Sequence, residues 1–176
     1  ILYQAYLGQV QFDFNNGQVE FAIKDGNGDW NGILADFYLN ELIQYTGTYN
    51  HISRTMKFYL NHELIGSITV PSDSFWYDPA HPELGIGAQL APGSGNPIQQ
   101  FNGRIDDIKL WQRELSSDEI IETDNNESLL AHYKFNAGQG DVLYDHSGNQ
   151  NHGVINGASW VENIYGCIDE LACNYD

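Results

Sequence analysis

Basic residues are scarce in this chain: 7 Lys and Arg stand against 24 Asp and Glu, a formal net charge of −17 over 176 residues. Phosphate backbones and anionic headgroups are bound through Lys and Arg, so this balance excludes nucleic acid and anionic membranes as partners. No run approaches the ~18 apolar residues of a membrane-crossing helix, which excludes insertion by that route. Cysteine is limited to Cys167 and Cys173, close together near the C-terminus. Such a pair reads as one local disulfide in an oxidising compartment; a zinc pair is the alternative, but no paired histidines accompany it.

Catalytic signatures are also missing. The six histidines (His51, His62, His81, His132, His146 and His152) form no His-x-His and no zinc-spaced cluster. Ser147 and His152 are near in sequence, but no nucleophile elbow surrounds that serine. Asp106 and Asp107 are adjacent, so on a strand they face opposite sides and cannot work together as an acid/base pair.

What the chain does contain is aromatic, turn-rich and alternating. Apolar residues make up 41% and Phe, Trp and Tyr 13%, with 18 glycines, a composition that suits half-buried strands joined by tight turns. Residues 9–14 and 18–23 alternate polar and apolar around the hairpin signal Asn15-Asn16-Gly17. Residues 25–29 read as a loop and 35–39 as a strand. A strand at 43–49 follows, then the clearest hairpin, 55–60 and 64–70 around Asn61-His62. The Pro- and Gly-rich stretch 71–97 holds one strand at 84–90, and its length marks a loop with functional potential. Strands are expected at 101–111, 128–136, 142–145 and 152–155, with Trp160 closing the run. Ser116, with Glu119 three residues on, marks the capping box of one short helix near 116–122.

Many short strands at this spacing with a single helix define an all-β chain, an antiparallel two-sheet jelly-roll sandwich. Residues 1–162 form that domain. Residues 163–176, which are not strand-patterned, form a separate Cys-containing tail. The chain opens on Ile1 and Leu2 and not on Met, as expected of an internal piece of a longer precursor.

Three stretches carry a family resemblance. Residues 46–50 (TGTYN) followed by 56–66 (MKFYLNHELIG) resemble the central hairpin of laminin-G-like, pentraxin-related domains, where GTYDG…KLYVNGxLVG is typical. Residues 102–111 (NGRIDDIKLW) and 115–120 (LSSDEI) resemble the family's GxIDDVRIYNRALSxxEI segment. Residues 130–140 (LAHYKFNAGQG), 145–153 (DHSGNQNHG) and 155–160 (INGASW) are similar to its LVGYYxFNEGxG…DxSGNGNHGxINGAxW element. The resemblance implies a concanavalin A-like jelly roll. It also implies that the family's opening strands are missing here, or supplied by a preceding segment or a partner. The tail resembles the GCTDPxACNYN repeats of long secreted bacterial surface proteins, which implies an extracellular or cell-surface location.

Glycoside hydrolases share this fold class, but their paired glutamates, Glu-x-Asp-x-x-Glu on one strand, do not occur here, and the expectation is a non-enzymatic module. Calcium is the expected cofactor. Asp145, Asn149 and Asn151 offer a carboxylate and two amides in one turn, and Asp106 or Asp107 could close the site. The alternative is a turn in which Asp145 only caps backbone amides. Asp25, Asn27, Asp29 and Asp36 mimic EF-hand positions 1, 3, 5 and 12, although Trp30 stands where that loop needs glycine; an ordinary hairpin loop is the other reading.

Sugar binding needs exposed rings. Trp30 in one loop, and Trp76, Tyr77 and Asp78 beside Phe75 and His81 in the other, are the candidates, whereas Trp111 and Trp160 read as core. The function expected is binding or adhesion, with a glycan or surface protein as ligand and with flanking domains or neighbouring subunits as further partners. A ligand-free spacer of a long adhesin or filament, and an accessory module of a polysaccharide-degrading enzyme, are the alternatives.

Overall fold

The computed structural model describes residues 2–3, 5–6, 9–15, 17–72, 84–90, 97–122 and 126–161. In chain order the elements are β1 (Leu2–Tyr3), β2 (Ala5–Tyr6), β3 (Gln9–Asn15), β4 (Gln18–Lys24), β5 (Trp30–Asp36), β6 (Tyr45–Asn50), β7 (Thr55–Leu60) and β8 (Glu63–Thr69). They continue with β9 (Gly85–Ile86), β10 (Ala88–Leu90), β11 (Pro97–Gln100), β12 (Ile108–Trp111), α1 (Ser117–Ile121), β13 (Leu129–Tyr133), β14 (Val142–Leu143) and β15 (Gly153–Val154). The chain falls into two compact units, Ile1–Ile105 with Trp111–Leu129, and Asp106–Leu110 with Leu130–Asp176.

In the first unit, β2-β3-β4-β5 form one antiparallel sheet and β6-β7-β8 another. Two-residue turns set both registers. Asn15 pairs with Gln18 across Asn16-Gly17, where Gly17 takes φ +84° at no steric cost. Leu60 pairs with Glu63 across Asn61-His62, and both turn residues have positive φ (45° and 72°), as a type I′ turn requires.

The apolar half of each alternation faces inward, and Val19, Phe21, Ile23, Ile33, Ala35, Met56, Phe58 and Val70 make the core. Phe58, with no exposed surface, pairs with Gly47 on one side and Gly66 on the other. Neighbours from the other sheet occupy the space those glycines leave. A Cβ on Gly47 would stand 2.5 Å from the Phe21 ring, and one on Gly66 would stand 2.9 Å from Ile33 Cγ2.

The all-β antiparallel sandwich expected from the pattern is what forms, and α1 sits where expected. Ser116 caps it in a β conformation, and Glu119 reaches back to the Ser116 N–H at 2.9 Å. Several boundaries differ. The strand expected over 35–39 instead runs from Trp30 to Asp36, because pairing with Gln18–Lys24 extends from Gln18↔Asp36 to Lys24↔Trp30. The strand expected over 84–90 is broken at Gly87 (φ +76°). The strand expected over 101–111 is confined to Ile108–Trp111, since Asp107 at φ +46° cannot continue an extended chain. The second unit pairs β12 with β13 and β14 with β15. Trp160 lies outside any strand. Among the described residues no helix is long and apolar enough to cross a membrane.

Candidate functional site

The second unit gathers most of the motif residues. Asp145 forms a bridge with Tyr133 at the end of β13, and its side chain is buried among N–H donors. Oδ1 accepts the backbone N–H groups of His132 (2.9 Å) and Ser147 (2.8 Å). Oδ2 accepts the Ser147 hydroxyl (2.8 Å) and the Asn151 N–H (2.9 Å). Burial alone would raise this carboxyl, but these four bonds outweigh it and hold its pKa down at about 2.

The two amides turn the same way. Asn149 Nδ2 and Asn151 Nδ2 donate to the Leu130 carbonyl at 3.0 and 2.9 Å, where Ser147 Oγ also lies at 3.2 Å. The Tyr133 hydroxyl closes the turn by donating to Asn151 O at 2.6 Å, its pKa raised by burial and by the Asp145 charge.

The sequence motif therefore folds as the Asx-type alternative, with Asp145 capping backbone amides. A hard cation needs converging oxygen lone pairs. Here the acceptor positions of the Asp145 carboxylate are filled by donors, and both amides present N–H to a carbonyl, so this arrangement does not fit calcium. Asp107, expected to close the site, instead holds the His132 ring, with Nε2 donating to Oδ1 at 2.7 Å, and Lys109 Nζ lies 3.6 Å from Oδ2. Asp106 Oδ1 accepts the Asp107 N–H at 2.9 Å. Among the described residues no group of three or more His, Cys, Asp or Glu side chains is placed to hold a metal ion.

The EF-hand-like spacing is also dispersed. Asp25 closes its own hairpin turn, its Oδ1 accepting the N–H groups of Asn27 (2.9 Å) and Asp29 (3.2 Å). Asp36 sits at the far end of β5, which at ~3.3 Å per residue places it about 20 Å from the turn.

Trp30, expected on a loop, is the first residue of β5 and is 44% exposed, with Lys24 Nζ 5.8 Å from its ring. Trp76, Tyr77 and Asp78, and the pair Cys167 and Cys173, lie outside the described residues.

One group of residues was missed by sequence reasoning. Phe135, Asn136, Tyr144, His146 and Trp160 line a shallow surface cleft beside Leu143, with room for about one water molecule. The Trp160 indole N–H donates to Gly140 O at 2.9 Å, which fixes the ring, and Tyr144 meets the His152 ring edge-on at 5.5 Å. The signal that could have found it is three aromatics set in Gly- and Asn-rich segments (residues 135–160) where strands are too short to bury them.

A two-sheet sandwich with a helix on one connection and hydrogen-bonded polar loops defines a lectin-like β-sandwich module. The chain belongs to the laminin-G-3 family of the concanavalin A-like lectin/glucanases superfamily, whose model matches residues 4–121. The opening segment thus falls inside the match, and the 130–160 element falls outside it. In fold the chain is similar to a protein of Bacteroides ovatus provisionally described as a carbohydrate binding protein, with a TM-score of 0.68 and 17% identity over 89% of this chain and 47% of that one. In sequence it is 29% identical over 168 residues to the N,N-dimethylformamidase beta subunit of Paracoccus aminophilus. It is 28% identical over 169 residues to that of an Alcaligenes species. Each match takes in 78% of this chain and 22% of the relative, so the chain spans about a fifth of those proteins.

Proposed function

We propose that this chain is a non-catalytic carbohydrate-binding module of a larger, secreted or surface-displayed protein. The observation that carries the proposal is where its reactive and aromatic groups stand. The Asp145 and Ser147 side chains and the His152 ring are taken up by hydrogen bonds within one turn, while Trp30, Tyr38 and Tyr144 keep 44%, 43% and 51% of their surface exposed. Exposed rings are what a neutral sugar face stacks on. An acid/base pair needs at least one group left open to substrate.

The superfamily, and the carbohydrate-binding description of the B. ovatus protein, support the same reading. The acidic composition and the Cys167–Cys173 pair, read as a disulfide, support a place outside the cell, as does the tail's resemblance to surface-protein repeats.

A glycan-array screen of the folded protein, run in calcium and again in chelator, tests the proposal. Specific binding that survives chelator is expected, since the Asp145 turn is filled by its own donors. Binding lost in chelator would restore calcium to the site, and no binding in either condition would overturn the glycan reading.

A second reading has its own support. Both curated relatives are enzyme subunits, of which this stretch is about a fifth, so the module could accompany an amidase-type catalytic domain. Hydrolysis of dimethylformamide by this chain alone would contradict the non-catalytic proposal.

A further inference from the structure

We propose that the side chains of Lys57 and Asn50 join in an intramolecular isopeptide bond, with Glu114 as the group that moves the protons. All three residues belong to the first unit. The Glu114 carboxylate meets both partners at once. Its Oε1 accepts from Lys57 Nζ at 3.0 Å, and its Oε2 accepts from Asn50 Nδ2 at 2.7 Å. Asn50 Oδ1 accepts the backbone N–H groups of Ile52 (3.0 Å) and Ser53 (2.9 Å). An asparagine that caps a hairpin turn in this way is common by itself. What is added here is an amine and a carboxylate beside the amide: a nucleophile, a proton acceptor, and two N–H donors on the oxygen where negative charge would develop.

The strands set the reach. Asn50 is opposite Thr55 and Lys57 is opposite Thr48, so Asn50 and Lys57 lie on a cross-strand diagonal of about 7–8 Å, which the two side chains span when joined. Packing holds Glu114 over them. Its neighbour Leu115 is buried against Tyr59, two residues along β7 from Lys57 and on the same face. Arg113 gives its guanidinium to Glu119 at 2.6 and 3.0 Å and not to the Glu114 carboxylate. Thr48 is buried, and the Lys57 and Glu114 side chains are only 34% and 22% exposed, a partial shield against the water that would hydrolyse the amide instead.

The step balances with no co-reactant. Lys57 passes a proton to Glu114, and the freed amine attacks Asn50 Cγ, pushing the carbonyl electron pair onto Oδ1. Glu114 relays the protons to Nδ2 as the Cγ–Nδ2 bond breaks and the carbonyl re-forms. One ammonium leaves, the Cγ–Nζ amide stays, and Glu114 is a carboxylate again. The hydrogen bond to Glu114 raises the Lys57 pKa, so the resting pair is ammonium and carboxylate and the first transfer is the uphill one. Closing so short a loop adds little stability, and the test is therefore covalent.

Intact-mass spectrometry of the whole chain, fresh and after prolonged incubation, is expected to show the loss of one ammonia. Trypsin cuts after Arg54, so Asn50 and Lys57 should be recovered in two peptides joined to each other. Lys57→Arg, which keeps the charge and removes the nucleophile, should keep its full mass, as should Glu114→Ala. A parent that keeps its full mass, or gains only the change from amide to acid, overturns the proposal. So does ammonia lost equally from Lys57→Arg, or lost without joined peptides, which would place the chemistry at another asparagine. Joined peptides from Glu114→Ala would overturn the role given to Glu114. None of these outcomes depends on the carbohydrate reading.

Discussion

The carboxylate of Asp145 accepts the backbone N–H of His132 at 2.9 Å, while the ring of the same histidine donates to Asp107 at 2.7 Å. His132 is thus pinned at its backbone by one aspartate and at its ring by another. The turn 145–151 then hangs on the first of these carboxylates through Ser147 and Asn151. Asp145→Asn replaces one acceptor oxygen by an NH₂ that faces N–H donors. The expected loss is about 3 kcal/mol of stability, since hydrogen bonds to a buried charge count more than neutral ones and the orphaned donors must desolvate. Urea denaturation of parent and variant measures it, and coincident midpoints would mean the turn contributes nothing.

Acid should weaken the fold through the same group. The folded pKa of Asp145 is about 2 against an ordinary 3.8, a depressed value, so its contribution is fully present above about pH 4 and is lost as pH falls toward 2. The shift corresponds to roughly 2 kcal/mol. Glu119 acts in the same sense, held at about 2 by the Arg113 guanidinium and the Ser116 N–H. Stability measured from pH 6 down to pH 2 should fall steeply in the parent and less so in Asp145→Asn. Equal slopes would contradict the assignment.

Two glycines should respond oppositely to alanine. At Gly47 the new methyl would stand 2.5 Å from the Phe21 ring, which Phe12 and Phe58 hold at centroid distances of 5.0 and 5.9 Å. That ring has nowhere to go, and Gly47→Ala should cost about 2–3 kcal/mol. At Gly153 the nearest atom would be Leu143 Cβ at 3.5 Å, an ordinary contact, and Gly153→Ala should stay within about 0.5 kcal/mol of the parent. Thermal melts of the two variants give the comparison directly.

Local rules read well where they act alone. Gly17 and Asn61-His62 announce their hairpins because the turn demands positive φ at those positions, and Ser116 with Glu119 announces the helix because the capping box is a four-residue device. Reading fails where the partner decides. Trp30-Asn31-Gly32 looks like loop by composition, yet it is strand because β4 offers it a full ladder. Asp25 and Asp36 look like metal ligands by linear spacing, yet a strand separates them. The motif around Asp145 was visible, but its sense was not. Whether its oxygens would face a cation or amides depends on where β13 places Leu130 O and the His132 N–H, and no local pattern carries that. The cleft rings Phe135, Tyr144 and Trp160 are spread over three segments, and Trp160 read as core only because a strand was expected there, where none forms.

Phe58 between Gly47 and Gly66 has a kinetic consequence. Both glycines leave notches in the β6-β7-β8 sheet, and these are filled by Phe21 and Ile33 of the β2-β3-β4-β5 sheet. The β6-β7-β8 sheet is a poor structure by itself, because Phe58 is bare on both flanks until the opposite sheet arrives. The sheets must therefore form and dock in one concerted event between remote parts of the chain, which places the folding barrier at docking and makes the folding slow for a chain of this length. The same notches act as a vernier: a one-residue slip of either sheet would bring a side chain where only a hydrogen fits, so misregistered sandwiches are rejected before they can persist.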